Sequence, residues 1–442
     1  MTLLAEAMEA AAAAEPVEFS GRVVEVRGLS VRAVGLSLPV GALVRIVTRG
    51  APVLGEVIGF GADHATIMVL GDTAGLGRDD RVVALEAQAS ARVGDGLIGR
   101  VVDGLGRPID GRGPIRGLPT RPLRPPSLPV MSRPPIDAAL ATGVRAIDAM
   151  LTIGRGQRLG VVSPAGLGKS TLLGMIARGG EADVSIIALI GERGREVRQF
   201  VEQTLGATRL ARSVVVAAPS DAPATMRLRA AMFAHSAAEH FRDRGLHVLL
   251  LMDSLTRFAQ AQRQVALAAG EPPALRGYPP SVFAALPALV ERTGHFGRGS
   301  ITGIYALLAE GDDLAEPVTD ACRGLLDGQI VLSRDLAERG HWPAIDLTAS
   351  VSRLAPHVTD EPHRLARAEV AKLFQAGQKA RQLQEIGAYA RGADPLFDLA
   401  ADLQPRIDAL LRQGVDERTT FAEARAGLLG VALEAAKLAV HR

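Results

Sequence analysis

Residues 158–173, RLGVVSPAGLGKSTLL, constrain this chain more than any other stretch. A short apolar run, 159–162, leads into a Gly-rich turn; Lys169 and Ser170 close the turn, and apolar residues at helical spacing follow. Strand, Gly-rich loop, GK[ST] and helix, in that order, build a cradle for phosphate groups. Backbone N–H groups of the loop and of the helix start converge on an anion, and the helix dipole adds positive potential. Gly166 and Gly168 put no side chain in the way. In this arrangement Ala165, Gly166, Leu167 and Gly168 wrap the phosphates, and Lys169, Ser170 and Thr171 begin the helix beneath them. Lys169 reaches the β- and γ-phosphates, and the Ser170 hydroxyl is placed to ligate Mg²⁺. One departure stands out. Ser163 occupies the first position of GxxxxGK[ST], and Pro164 after it removes an amide donor.

A chain of 442 residues is too long for one ordinary core, so two or three domains are expected. With 48% hydrophobic and 22% charged residues it reads as soluble and globular. The formal net charge of +2 demands neither a nucleic acid nor a membrane partner. Cys322 is the only cysteine, which excludes an intrachain disulfide and a Cys-based zinc site and favours a cytoplasmic protein. The N-terminus has no basic n-region and carries Glu6, Glu9 and Glu15, unlike an export signal. No apolar run is long enough to span a bilayer; in residues 426–440 the run is broken by Glu434 and Lys437 and reads as a packed terminal helix.

Taken in order, residues 1–16 form an Ala-rich arm with Leu3, Leu4 and Met8 at helical spacing, ended by Pro16. A partner-binding arm and a frayed terminus are both open readings. Residues 17–88, assigned as the β-barrel domain, carry short β-rich runs (GRVVEVRG, ALVRIVTRG, ATIMVLG) between glycines, the pattern of a small barrel or sandwich. Base stacking needs aromatic side chains, and this region has only Phe19 and Phe60, so it reads as a structural collar rather than an oligonucleotide site. Residues 89–361 follow, with a proline-dense connection at 118–136 expected to run extended over a surface without forming an element. Apolar runs at 159–162, 184–190, 214–217, 248–252, 301–308 and 330–332 alternate with helical patterns, which predicts a mostly parallel sheet covered on both faces. Residues 362–442 lack strand-like runs and read as a small helical domain.

Ligands on parallel sheets bind at the carboxyl ends of the strands. Three of these ends carry polar residues. The phosphate loop is the first. The run 184–190 ends in GERGRE, putting Glu192 and Arg193 at the rim, where a carboxylate can take a proton from a water attacking a γ-phosphate. A surface ion pair from Glu192 to Arg193 or Arg195 is the plain alternative. The run 248–252 ends in Asp253, an acid able to hold Mg²⁺ opposite Ser170, although helix caps also place Asp there. Arg257, one turn further, faces either nucleotide phosphates or the adjoining sheet edge.

The order of these motifs resembles that of the ATPases related to the catalytic subunit of rotary ATP synthases, and more closely the flagellar and type III protein-export ATPases. The resemblance is carried by GRVVDGLGRPIDGRGPI, ATGVRAIDAMLTIGRGQRLGVVSPAGLGKSTLLGMIAR, IALIGERGREVRQFVE, LLLMDSLTRFAQAQR, GEPPALRGYPPSVFAALPALVERTG, DGQIVLSRDLAERGHWPAIDLTASVSRL and the C-terminal IGAYARGADP. It implies ATP and Mg²⁺ as ligands, Glu192 as the catalytic carboxylate, Lys169 and Ser170 as the loop lysine and metal ligand, and Asp253 as the second metal-holding acid. Arg193 and Arg257 match phosphate-proximal arginines. Trp342, in GHWPAID, stands where the family has a tyrosine that stacks on adenine. Arg353 matches a finger that crosses to the neighbouring subunit's γ-phosphate, which implies a homohexamer with sites at subunit interfaces. The family has Gly or Ala where this chain has Ser163.

The resemblance further implies a regulator on the N-terminal arm, a central stalk protein, an export gate and chaperone–substrate complexes as partners. Nucleic acid is not implied, and membrane contact comes only through those partners at the cytoplasmic face of an export apparatus. IGAYARGADPLFD favours the flagellar over the virulence-type injectisome system. A rotary catalytic subunit would carry an acidic helical tip absent between Ala380 and Pro395; a hexameric RNA translocase would want more aromatics in the barrel; and Glu192 argues against a non-catalytic nucleotide-binding subunit.

Overall fold

A computed structural model describes residues 19–309 and 316–440, apart from residues 87, 127, 128, 130 and 132. The N-terminal arm expected at residues 1–16 lies outside the described residues.

The first unit is a closed six-stranded barrel of β1 (Ser20–Arg27), β2 (Ser30–Val34), β3 (Leu43–Val47), β4 (Val53–Phe60), β5 (Ala65–Val69) and β6 (Arg81–Glu86), paired in the order β1-β2-β5-β4-β3-β6. Alternation fills it. In β2, Val31 and Ala33 point inward and Ser30, Arg32 and Val34 outward, and Val23, Val44, Ile46, Val57, Ile67 and Val82 complete the barrel core. Closure removes the exposed edges that so many short strands would otherwise present. The barrel is docked by polar contacts as well as apolar ones. Glu56 of β4 faces Arg229 at 3.4 Å, Arg229 donates to the Ser90 carbonyl at 2.9 Å, and the Thr225 hydroxyl donates to the Val69 carbonyl at 3.1 Å. Burial pushes the Glu56 carboxyl up despite the facing guanidinium.

The central sheet has β7 (Val101–Val102), β8 (Arg158–Ser163), β9 (Val184–Ile190), β10 (Ser213–Ala218), β11 (His247–Asp253), β12 (Gly299–Leu308), β13 (Gly328–Leu332) and β14 (Ile345–Ser352). Their order is β14-β13-β8-β12-β11-β9-β10-β7, with a short strand at Gly294–Phe296 antiparallel to β12. Every residue of β9 is buried, as a strand covered on both faces requires. Its alternate side chains join different cores. Ile186, Ala188 and Ile190 pack with α2 (Ala224–Asp243), α3 (Leu255–Ala268) and α4 (Pro280–Val290). Ile187 and Leu189 pack with α1 (Lys169–Gly179) and with the C-terminal helices α5 (Glu361–Glu385), α6 (Pro395–Leu411) and α7 (Phe421–Val440). The C-terminal helices therefore share a core with the helix that follows the phosphate loop.

Two features depart from the sequence reading. The proline-dense connection does contain an element: Thr120–Pro122 pairs with Ser90–Arg92, Thr120 and Arg121 retaining the amides that a ladder needs. The sheet also gains an antiparallel edge strand, β14, which no apolar run announced. Its burial pattern is half exposed, as befits an edge. Among the described residues no helix is long and apolar enough to cross a membrane.

Candidate nucleotide site

Register brings the strand ends to one line. Ser163 of β8 pairs with Leu308 of β12, Met252 of β11 with Tyr305 of β12, Asp253 of β11 with Leu189 of β9, and Ile190 with Ala218 of β10. The loop after β8 then turns into α1 through Gly166 (φ +83°) and Gly168 (φ +80°), left-handed positions that glycine takes without strain. A Cβ at Gly166 would meet nothing within 4 Å, so the loop backbone there is open to a ligand. Ser163 is buried in the strand end, and its hydroxyl donates to the Pro164 carbonyl at 2.6 Å.

Lys169 and Asp253 are both buried, and Lys169 Nζ pairs with Asp253 Oδ1. Ser170 Oγ lies 3.4 Å from Asp253 Oδ2. A hydroxyl beside a carboxylate, oxygen donors only, suits Mg²⁺, which keeps waters and binds through one or two protein oxygens plus substrate phosphates. Among the described residues no group of three or more His, Cys, Asp or Glu side chains is placed to hold a metal by itself.

Glu192 extends the β9–β10 pairing past the strand ends: Gly191 N–H donates to the Ala218 carbonyl at 2.7 Å, and the Glu192 carbonyl accepts from Ser220 N–H at 2.9 Å. Its carboxyl lies near enough to the Lys169–Asp253 pair to feel both charges. Burial first, then the negative charge of Asp253, push its pKa up to about 7; Lys169 works in the opposite direction, and a hydrogen bond with Glu196 adds to the rise. The alternative of a surface ion pair finds no support here, because Arg193 pairs with Glu196, at 3.6 Å, and is otherwise turned to solvent. Arg193 is thus not drawn into the cradle of its own chain. Arg257 is drawn closer: its side chain lies across Gly191, where an added Cβ would sit 2.9 Å from Arg257 Cβ and Cγ, and its Nη1 donates to Gln260 Oε1 at 3.0 Å. Ser254 caps α3 by accepting from Arg257 N–H at 3.2 Å.

Trp342, 43% exposed, precedes β14 at the same end of the sheet. A Cβ placed on Gly168 would lie 3.1 Å from its Cζ3, so the indole stands beside the phosphate loop. Arg353 is elsewhere. Because β14 runs antiparallel, Ile345 pairs with Leu332 near the loop and Ser352 with Gly328 at the far end. The register shifts between them, so the paired residues Leu332 and Gly328 of β13 are four strand steps apart, about 13 Å. Arg353 follows at that far end, exposed, with no hydrogen bond or ion pair from its guanidinium to any described residue.

Two residues at the site went unread in the sequence. Asp148 accepts from Thr142 N–H (2.9 Å), Thr142 Oγ1 (2.7 Å) and Gly143 N–H (3.0 Å), fixing the turn that packs on Gly179 at the end of α1. Gln413, buried after α6, bonds to the Trp342 carbonyl. Nothing local marks an isolated buried glutamine in a loop. A cavity of about 700 Å³ lies away from all of these, between Arg124, Arg133, Met232, Phe258 and Phe296. It holds none of the converging donors, and an open cradle of amides needs no enclosed volume, so the chemistry is placed by the donors.

Three family models match the chain: the beta-barrel domain of the ATP synthase alpha/beta family at 17–86, the nucleotide-binding domain of the same family at 143–352, and the T3SS EscN ATPase C-terminal domain at 359–429. The flagellum-specific ATP synthase of Pseudomonas aeruginosa is 48% identical over 94% of this chain and 93% of its own. That of Salmonella typhimurium is 49% identical over 91% of both. The assembled ATPase EscN in complex with its central stalk EscO, from the type III secretion system of enteropathogenic E. coli, superposes with a TM-score of 0.87 at 39% identity, covering 93% of this chain and all of that one.

Proposed function

The chain belongs to the ATP synthase alpha/beta family, among its flagellar and type III export ATPases, and from that premise we propose how its residues divide the work. The protein is an ATP hydrolase that energises export of flagellar proteins through a type III apparatus. The observation that carries the division is the placement of Lys169, Ser170, Asp253 and Glu192 together at one end of the sheet while Arg353 stands at the other.

The loop amides from Ala165 to Thr171 and the Lys169 ammonium hold the phosphates, and Lys169 exchanges Asp253 for phosphate oxygens when ATP enters. Ser170 and Asp253 would hold Mg²⁺, which when bound neutralises charge on the β- and γ-phosphates. Asp253 is then needed by the metal as Lys169 leaves it, so one acid serves both states. Glu192, once ionised, accepts a proton from the attacking water. Trp342 offers its exposed face to the adenine ring, and Arg257 sits behind Gly191 within reach of the phosphate end. Arg353 leaves the sheet at the end opposite the loop, about 13 Å along β13 from it; it completes the site of a neighbouring subunit, with Arg193 at the same boundary.

A homohexamer meets this requirement with a single chain type, each interface combining one subunit's loop and the next one's Arg353. A central stalk protein in the ring, a regulator on the N-terminal arm, and the export gate and chaperone–substrate complexes at the cytoplasmic face are the partners this reading assigns. The injectisome system is the second reading, favoured by the fold match to EscN; the choice of the flagellar system rests on IGAYARGADPLFD, since identity alone does not separate the two. ATPase rate measured against protein concentration tests the interface site. A specific activity that climbs steeply is expected, and a flat one removes the shared site.

A further inference from the structure

We infer that Gln413 is a positioning residue that sets the distance between the base platform and the phosphate loop, and so makes the C-terminal helical domain part of base recognition. The inference rests on the reading of Trp342 as the adenine platform.

Gln413 lies two residues beyond α6, 5% exposed, in the loop that leads to α7. Its backbone N–H donates to the Trp342 carbonyl at 2.9 Å. Its side-chain oxygen accepts from Arg145 N–H at 2.7 Å, and its side-chain nitrogen donates to the Gly143 carbonyl at 2.8 Å and to the Glu417 carbonyl at 2.9 Å. Both donors and one acceptor site of the amide are therefore used inside the protein, which fixes its orientation. A single residue joins three pieces. The first is the chain just before β14, which carries the indole. The second is the turn at Thr142 and Gly143, which lies so close to Gly179 at the end of α1 that a Cβ on Gly143 would come within 2.7 Å of Gly179 Cα. The third is the C-terminal domain itself.

The same loop is tied down twice more. Arg178, in the last turn of α1, donates to the Val415 carbonyl at 2.6 Å and to the Thr204 carbonyl at 3.0 Å, and Arg145 pairs with Glu417. Arg178 fixes the loop to the phosphate-binding helix, Arg145 fixes it to the helix Arg145–Met150, and neither touches Trp342. The Gln413 N–H carries the connection on to the Trp342 carbonyl, beside the looser approach of His341 to Asp408 of α6 at 3.9 Å, and the side-chain amide sets where that N–H points. Losing the amide leaves the loop attached and lets the Trp342 segment drift. The expected defect is selective: weaker hold on the base, unchanged hold on the phosphates.

The test uses the full-length protein with Mg²⁺-ADP and with inorganic pyrophosphate, which engages the phosphate loop alone. Trp342 is the only tryptophan, so its fluorescence reports the platform directly. In Gln413→Ala, ADP affinity should fall about five- to tenfold, the size of one net hydrogen bond. Pyrophosphate affinity should stay the same, KM for ATP should rise with kcat nearly unchanged, and the fluorescence response to ADP should shrink. Adding Gln413→Ala to Trp342→Ala should cost nothing further. Equal weakening of ADP and pyrophosphate, or weakening of neither, overturns the inference. Should Gln413→Ala fail to fold, Gln413→Glu is judged by the same pair of ligands, since it keeps the shape and the acceptor for Arg145 N–H and loses both donors. Trp342→Ala separates the two levels. Unchanged ADP affinity there removes the platform itself, whereas a loss there with none in the Gln413 variants removes only the role of Gln413.

Discussion

The two ends of the central sheet are built on opposite terms. At the loop end, Lys169 and Asp253 are buried and paired, Ser170 is 3.4 Å from the same carboxylate, and Glu192 is held neutral up to about pH 7 by burial and by Asp253. The groups there face one another. At the far end Arg353 is exposed and its guanidinium has no partner among the described residues. An arginine with nothing to hold in its own chain is a poor structural element and a good reagent for someone else's site. One end stores the electrostatics of the reaction inside the subunit, while the other presents a cation outward. On the proposed division of the site, such a chain carries both halves and needs a neighbour to join them.

The strongest way to break this picture is to remove each half separately and then mix the halves. Arg353→Ala should lower kcat by about 10³–10⁵, the range for an arginine supplied across a boundary, while nucleotide binding persists. Lys169→Ala should abolish turnover from the loop side. If the halves meet between subunits, mixing the two inactive proteins restores activity at the fraction of interfaces that combine an intact loop with an intact arginine, roughly a quarter in an equal random mixture. Mixtures that stay dead would put both groups in one chain's site, against their placement at opposite ends of the sheet.

The next effect belongs to the loop end alone. Glu192→Gln should lower kcat by about 10²–10⁴ and leave ADP affinity unchanged, because the amide keeps the shape and loses the base. Unchanged turnover would remove Glu192 from proton transfer. The pH dependence sharpens the same point. A carboxyl raised to about 7 is protonated, and idle as a base, below that pH, and ionised above it. For the free enzyme kcat/KM should therefore climb about tenfold per pH unit below 7 and level off above. Glu192→Gln should lose that slope. A slope that survives in the variant would belong to another group.

How much of this was legible follows the same division. Strands covered on both faces announce themselves as unbroken apolar runs, so β8 to β13 could be read directly, and the polar residues that end those runs marked the chemistry. The edge strand β14 could not be read that way, since its half-exposed pattern breaks the run, and Trp342 and Arg353 at its two ends were placed by family resemblance. Asp148 and Gln413 stayed hidden for a different reason. Gln413 bonds to segments as many as 270 residues away in the chain, and no local pattern encodes a partner at that distance; the Asp148 side chain bonds only five and six residues back, but the turn it fixes matters through its packing on the distant Gly179. Arg193 shows the limit of spacing: it stands beside Glu192 in sequence, yet it is turned outward to Glu196.

The smallest predicted effect concerns the loop's one irregularity. Pro164 lacks an amide, and a cradle made of amides ought to suffer for it. The geometry argues otherwise. Ser163 is still part of β8: it is buried, pairs with Leu308, and its carbonyl accepts from Ala309 N–H at 3.1 Å. Its hydroxyl turns onto the Pro164 carbonyl at 2.6 Å, which satisfies a buried group within the bend. The Ser-Pro pair thus closes the strand, and the open backbone of the cradle begins beyond it, at Ala165 and Gly166. Pro164→Gly should leave kcat and KM for ATP within about twofold. It should lower stability by about 0.4–1 kcal/mol, because glycine frees the unfolded chain at a position where proline was already suited. Turnover and denaturant midpoint measured on the same preparation decide it: a several-fold rise in kcat would mean that the missing amide limits phosphate binding, and that the loop end of the sheet is less complete than its buried charges make it look.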